Sequence, residues 1–296
     1  MHLEVRWVED LLLLEQEGSI SKAAEKRFVS QSAFTRRIQQ LEEMVGKDII
    51  LRNNKKNIEF SDTGHIMLMT CKIIKKQLEE TTRLLKNIHD EPQPTIRFAV
   101  AHSLVSSFLP TFLQKIPLAI DELKIEIVAS NIGAGLALLK QGECDFLVCY
   151  SDHKHVHPMN DNILSGVKIA ETELLPVSAL EHGQPKFNLQ HKFPLLSYSH
   201  KAYLRTLVDE LITDRLKYKS LYETDNAANL KDLVLQGLGV AWVPKIAIEH
   251  ELKTQQLAIL DRQDYMIQQD IFIYKNNLNH SAHLKQIWAA LSNDCL

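Results

Sequence analysis

Apolar positions recur every three to four residues through the first ninety residues of the chain, then give way to short apolar runs alternating with helical stretches. Trp7, Leu11, Leu12 and Leu14 fall on one face of a first helix that Gly18 ends. Ser21 is placed to cap a short second helix over 22–27, whose small Ala23 and Ala24 let another helix pack closely. After Phe28 and Val29, Ser30 caps a third helix over 31–45, with Gly46 just past its end. Ala33, Phe34, Ile38, Leu41 and Val45 form its apolar stripe, and Gln31, Ser32, Thr35, Arg36 and Gln39 lie on or near the opposite face. Two short apolar runs, 49–51 and 58–60, flank a polar turn and read as a two-stranded wing. The first sixty residues therefore predict a winged helix–turn–helix.

From Ser61 to Asp90 the pattern is one long helix. Met67, Cys71, Ile74, Leu78, Thr81, Leu85 and Ile88 are spaced alternately by four and three residues, a heptad seam with charged residues on the other faces. Such a seam suits either a dimerising coiled coil, which is the reading favoured here, or a helix packed on its own domain. Pro92 and Pro94 then break the helix and mark a linker.

Beyond residue 92 the strand candidates are 96–101, 124–130, 145–150, 174–179, 193–199, 238–243 and 270–275. Helical patterns at 135–141, 201–212, 227–236 and 245–252 lie between them. Near-continuous apolar strands alternating with helices predict an α/β sheet covered on both faces. About two hundred residues exceed one compact unit, so two α/β subdomains with a cleft between them are expected. The predicted division is 1–60, 61–91 and 92–296.

Composition narrows the function classes. The formal net charge is −3, so binding through bulk positive charge is excluded. Locally the picture differs, because 36–56 carries six basic residues against three acidic ones, a clustered face suited to phosphate. Four scattered cysteines make neither a disulfide framework nor a zinc site. Met1 runs directly into charged, helix-patterned sequence and no apolar run approaches membrane-spanning length, so a cytoplasmic protein without membrane contact is expected.

The stretches Ile20–Ala24, Val29–Glu42, Gly46, Arg52 and Phe60–Gly64 together resemble the winged helix–turn–helix of LysR-type transcriptional regulators. Ser32 stands where that family usually has Pro, Ile50 where it has Phe, and Lys55 where Arg is common. The resemblance extends along the chain through Gly142–Asp145 and Gly237–Pro244. In look it is nearest the hypochlorite-responsive and amino-acid-responsive branch, through Ala101–Leu104, Phe193–Ser199 and Trp242–Pro244. It implies a fold of mixed α+β and α/β class: the DNA-binding domain, a long linker helix, and a two-subdomain effector domain built like a periplasmic binding protein. It also implies a homodimer or homotetramer that binds an operator in double-stranded DNA. Gln31, Ser32, Thr35 and Arg36 would then read base edges, with Ser30 and Gln39 beside them, while Arg37, Arg52, Lys55 and Lys56 hold phosphates.

In the effector half, strand ends at His102-Ser103, Ser130-Asn131, Tyr198-Ser199 and Thr224-Asp225-Asn226 each precede a helix, with Tyr203 close after the third. Helix N-termini offer free N–H groups and partial positive charge, so a small anion such as a carboxylate or amino acid is the expected effector, with Asp225 free to meet an ammonium. The alternative is that these residues are ordinary helix caps. No catalytic elbow, phosphate-binding loop or zinc-protease motif occurs, so no enzyme activity and no cofactor are expected. Two other chemistries remain open on the residues alone. His153, His155 and His157 can face one way in an extended segment and bind metal, or form a solvated crossover. Cys144, Cys149, Met67 and Met69 can sense oxidants, or simply fill core.

Overall fold

The computed structural model describes residues 4–51, 58–86, 95–115, 123–151, 163–200, 202–279 and 282–293. The predicted linker at 90–94, the histidine run at 153–157, Cys295, and Arg52, Lys55 and Lys56 lie outside these. The chain forms two compact units, Met1–Gln93 with Lys140–Gly142, and Pro94–Leu139 with Glu143–Leu296.

In the N-terminal unit, α1 (Val5–Glu17) buries Trp7, Val8, Leu11 and Leu14. The next helix, α2, is Ile20–Lys26, and α3 is Gln31–Val45. Gly18 and Gly46 end α1 and α3 in the left-handed conformation, at φ 59° and 74°. Two expectations change. Helix α2 starts before Ser21 because Ile20 packs against the core, so the Ser21 hydroxyl caps nothing and instead donates to Gln31 Oε1 at 3.1 Å. Ala33 is exposed, and the buried positions of α3 are Phe34, Ile38, Leu41 and Glu42. Strands β1 (Ile50–Leu51) and β2 (Glu59–Phe60) pair antiparallel as the wing.

Helix α4 (Asp62–Lys86) divides its heptad seam between two environments. Cys71 is 1% exposed inside the unit's core, with Met67 and Ile74 packed against that core. The first half of the seam therefore serves its own domain, as one of the two readings held. Leu78, at 51% exposure, and Thr81 face outward. The described side chains stop short of Leu85 and Ile88.

The C-terminal unit is built on a mixed sheet. Strands β3 (Thr95–Ala101), β4 (Lys124–Ser130) and β5 (Phe146–Ser151) are parallel, with β3 between the other two. Two long strands, β6 (Leu164–Glu181) and β12 (Ile267–Asn276), run antiparallel to each other; β12 also pairs with β5. The far half of β6 carries β10 (Ala241–Pro244) and β11 (Leu257–Ile259). There β8 (Phe193–Tyr198) and β9 (Tyr218–Thr224) form a parallel pair that meets β10 through a single bridge, Leu195 to Val240. Strands β6 and β12 thus belong to both subdomains, and a bulge that leaves Ile169 unpaired bends them where the two join.

Helices α5 (His102–Ser107), α7 (Ile132–Lys140), α8 (Tyr203–Ile212) and α9 (Ala227–Leu235) follow the ends of β3, β4, β8 and β9. This brings four strand-to-helix turns to one crevice. No helix among the described residues is long and apolar enough to cross a membrane.

Candidate functional site

The polar face of α3 stands on a buried carboxylate. Asp10 lies in the apolar stripe of α1, fully buried, and its two oxygens take Arg27 Nε at 2.6 Å and Arg37 Nη1 at 3.3 Å. Arg27 also pairs with Glu9 at 2.5 Å. Burial works against the Arg27 charge, but the hydrogen bonds to Asp10 and Glu9 outweigh it and hold its pKa above the ordinary value. Arg37, expected on phosphate, is engaged in joining α3 to α1.

A second carboxylate sets the wing. Glu42, 8% exposed, accepts the backbone N–H groups of Ile49 at 2.9 Å and Ile50 at 3.1 Å, so the end of α3 fixes the start of β1. Ser30 caps α3 by accepting from Ala33 N at 3.2 Å. Thr35, half-buried, donates to the Gln31 carbonyl at 2.9 Å. Ser30, Gln31, Ser32, Arg36 and Gln39 are exposed together along one face. Asp10 and Glu42 are not among the residues the sequence pattern singles out, although each is an acid in an otherwise apolar stripe, which is itself the signal.

In the C-terminal unit the crevice is a cleft with about 480 Å³ of space between its atoms, part of it open to solvent. From one subdomain come His102, Ser103, Ser130, Asn131 and Tyr150; from the other, Tyr198, Tyr203 and Asp225, with Ala101, Ile132, Ala202 and Leu204 as apolar lining. Seven of the nine expected effector residues line it. Ser199 and Thr224 do not: the Ser199 hydroxyl donates to Asp225, and Thr224 Oγ1 accepts from Asn229 Nδ2 at 3.3 Å. Asn131 lines the cleft while capping α7, its Oδ1 accepting from Ala134 N at 2.8 Å.

Tyr150 belongs to the apolar strand β5, yet its hydroxyl lies at the cleft, 2.9 Å from Ser103 Oγ in a hydrogen bond. Burial drives the Tyr150 hydroxyl well above its usual pKa against that hydrogen bond, and burial followed by the nearby Tyr150 does the same for Tyr198. Both are neutral donors at pH 7. Ser130 Oγ and the Tyr198 hydroxyl are buried with no hydrogen-bond partner. Gly135 makes room for this, because a Cβ there would stand 2.8 Å from Ser130 Oγ and 2.6 Å from Leu147 Cδ1. Among the described lining residues there is no Lys or Arg, and Asp225 is the carboxylate.

The thiols have a different character. Cys71, Cys144 and Cys149 are buried. Burial pushes the Cys71 pKa up to about 11 and that of Cys149 up to about 12.

Comparison with known proteins gives these two units a common identity. Residues 5–65 match the bacterial regulatory helix-turn-helix protein, lysR family, and residues 89–295 match the LysR substrate binding domain. The HTH-type transcriptional regulator YjiE of Escherichia coli K12 is 30% identical over 98% of this chain and 94% of its own length. Vibrio fischeri DarR, solved in complex with DNA, superimposes with TM-score 0.61 at 29% identity, covering 99% of both chains. Full-length HypT of Salmonella typhimurium, a hypochlorite-specific LysR-type regulator, gives TM-score 0.62 at 28% identity over 99% of this chain and 98% of that one. A polar recognition face in one unit, a hydroxyl-lined cleft in the other, and these matches across nearly the whole length have one meaning: the chain belongs to the LysR family of DNA-binding transcriptional regulators, with a helix–turn–helix domain and an effector-binding domain.

Proposed function

We propose that this regulator responds to a small carboxylate, best an α-amino acid, bound in the cleft between the two subdomains of its C-terminal unit. The observation that carries this reading is the pair of buried, unpartnered hydroxyls, Ser130 Oγ and Tyr198 OH, that line the same cleft from opposite sides. A buried hydroxyl without a partner is costly, and a ligand oxygen relieves two such costs at once. Ser103, Ser130 and the N-terminal turn of α7 suit the carboxylate. Asp225, across the cleft, suits an ammonium. The described lining offers the Asp225 carboxylate and no Lys or Arg, so a single carboxylate balanced by its own amine suits it better than a multiply charged anion. Holding a ligand from both subdomains biases their closure, which the shared strands β6 and β12 can accommodate.

In the DNA-binding unit, α3 enters the major groove, with Gln31, Ser32, Thr35 and Arg36 at base edges and Ser30 and Gln39 alongside. Arg52, Lys55 and Lys56 hold phosphates, and Arg37 acts through Asp10 to set the helix. The outward half of α4, with Leu78 and Thr81, joins two copies, and residues 61–91 form the linker between the DNA-binding and effector domains. Apolar Val5, Val8 and Leu12 border the same groove as Leu78, which extends the surface a second copy covers. Oxidant sensing finds less support, since burial keeps the Cys71 and Cys149 thiols protonated and no methionine is among the described lining residues of the cleft.

Isothermal calorimetry of the full chain against a panel of amino and carboxylic acids tests the effector. Saturable 1:1 binding that weakens in Ser130→Ala supports it, and heats absent across the panel overturn it.

A further inference from the structure

The turn between α2 and α3 carries a side chain that the fold does not use. Phe28 is 95% exposed, the most exposed large apolar residue among those described, with Val5 next at 62%. Its backbone lies at φ 55°, in the left-handed region. The other described non-glycine residues with positive φ are His182, Asp214, Gln255 and Asp261, all polar. A bulky aromatic is poorly suited to this region, because its Cβ crowds the backbone.

The hydrogen bonds say what residue the turn would prefer. Phe28 N donates to the Glu25 carbonyl at 3.0 Å and Val29 N to the Ala24 carbonyl at 3.1 Å. That pair is the Schellman motif, with Phe28 at the position where glycine or asparagine is usual. The chain thus accepts backbone strain to hold a large apolar ring in water. Lone exposed apolar residues are common and need no explanation; one held out by a strained turn does.

Its place gives the reason. Phe28 precedes the N-cap Ser30 by two residues and lies at the same end of α3 as the exposed Gln31 and Ser32. In helix–turn–helix proteins the N-terminal residues of the recognition helix face the base edges. The apolar group presented there is the thymine 5-methyl. We infer that Phe28 is a specificity-determining residue whose ring packs on a thymine methyl in each half-site. This rests on α3 being the groove-reading helix.

The test uses the full chain and a duplex selected by the wild type from a randomised pool, with each thymine in turn replaced by uracil. Phe28→Ala and Phe28→Asn should each weaken binding about 5- to 20-fold, the loss of a partly buried ring. Phe28→Asn should keep or raise the thermal midpoint, because Asn tolerates the turn. At one thymine per half-site, uracil should weaken wild type roughly threefold, the loss of one methyl contact, and leave Phe28→Asn unaffected. Variants that bind within twofold of wild type would overturn the proposal. So would variants that weaken yet keep the wild-type response to every uracil, or that dissociate the oligomer in sedimentation. Arg36→Ala in parallel separates the two readings: if it too is silent, the groove assignment has failed rather than the role of Phe28 alone.

Discussion

Arg37, on the helix that carries the polar recognition face, bonds at 3.3 Å to the buried carboxylate of Asp10 on α1. The same carboxylate holds Arg27, at the end of α2. One acid therefore fixes all three helices of the DNA-binding unit. Asp10→Asn keeps the shape and removes the charge, leaving two partly buried guanidinium groups short of a partner. It should cost about 1–3 kcal/mol of stability. Hydrogen exchange in the full chain should show the loss confined to the N-terminal unit, whose core also holds the first half of α4. Operator affinity should fall with it, whereas Glu9→Gln, at the exposed end of the network, should change little.

Reading and holding should separate in mutants of the DNA face. Arg36→Ala should lose about 1–3 kcal/mol on the specific site and relax its sequence preference. Lys55→Ala should weaken all sequences alike and lower the salt dependence by about one phosphate contact. Fluorescence anisotropy against specific and scrambled duplexes over a salt series distinguishes the two.

Leu78→Asp should dissociate the oligomer, because an unpaired charge in an apolar seam is tolerated only if the helices part. Analytical ultracentrifugation reads this directly. Cys71→Ser, three residues before Ile74 but buried in its own domain, should lower stability and leave the oligomer intact.

The buried thiols should resist alkylation. With its pKa near 11, Cys71 is thiolate in roughly one molecule in a thousand at pH 8. Iodoacetamide should therefore label Cys71 and Cys149 only after denaturation. Because the fold raises both pKa values, the stability tied to these thiols is complete below their ordinary pKa. It is lost as pH rises through about 11 for Cys71 and 12 for Cys149.

Much of this fold was legible because its signals are local. Ser30 and Gly46 bound α3 through a cap and a left-handed turn, and both are visible as residue types. The fully buried β5 and β10 read as unbroken apolar runs. Strand β9 was legible only at its end, Thr224, since Tyr218–Thr224 is largely exposed and carries no apolar alternation. The first half of β6 mixes polar and apolar residues for a different reason: it crosses between subdomains, so its surroundings change along its length. At the cleft, strand-to-helix turns pointed to Ser103 and Ser130, but Tyr150 sits in an apolar strand and only tertiary packing shows its hydroxyl reaching Ser103. Ser199 and Asp225 looked like two ligand groups, whereas the structure hydrogen-bonds them to each other.

The most direct test of regulation through the cleft is operator binding, followed by anisotropy, while the panel of amino and carboxylic acids is titrated onto wild type and Ser130→Ala. One acid should shift the operator affinity of wild type by about 5- to 150-fold, the usual range of coupling between two sites. Ser130→Ala should need a higher concentration of that acid and keep its ligand-free operator affinity. No shift with any acid, or the same concentration dependence in Ser130→Ala, would contradict an effector bound at Ser130.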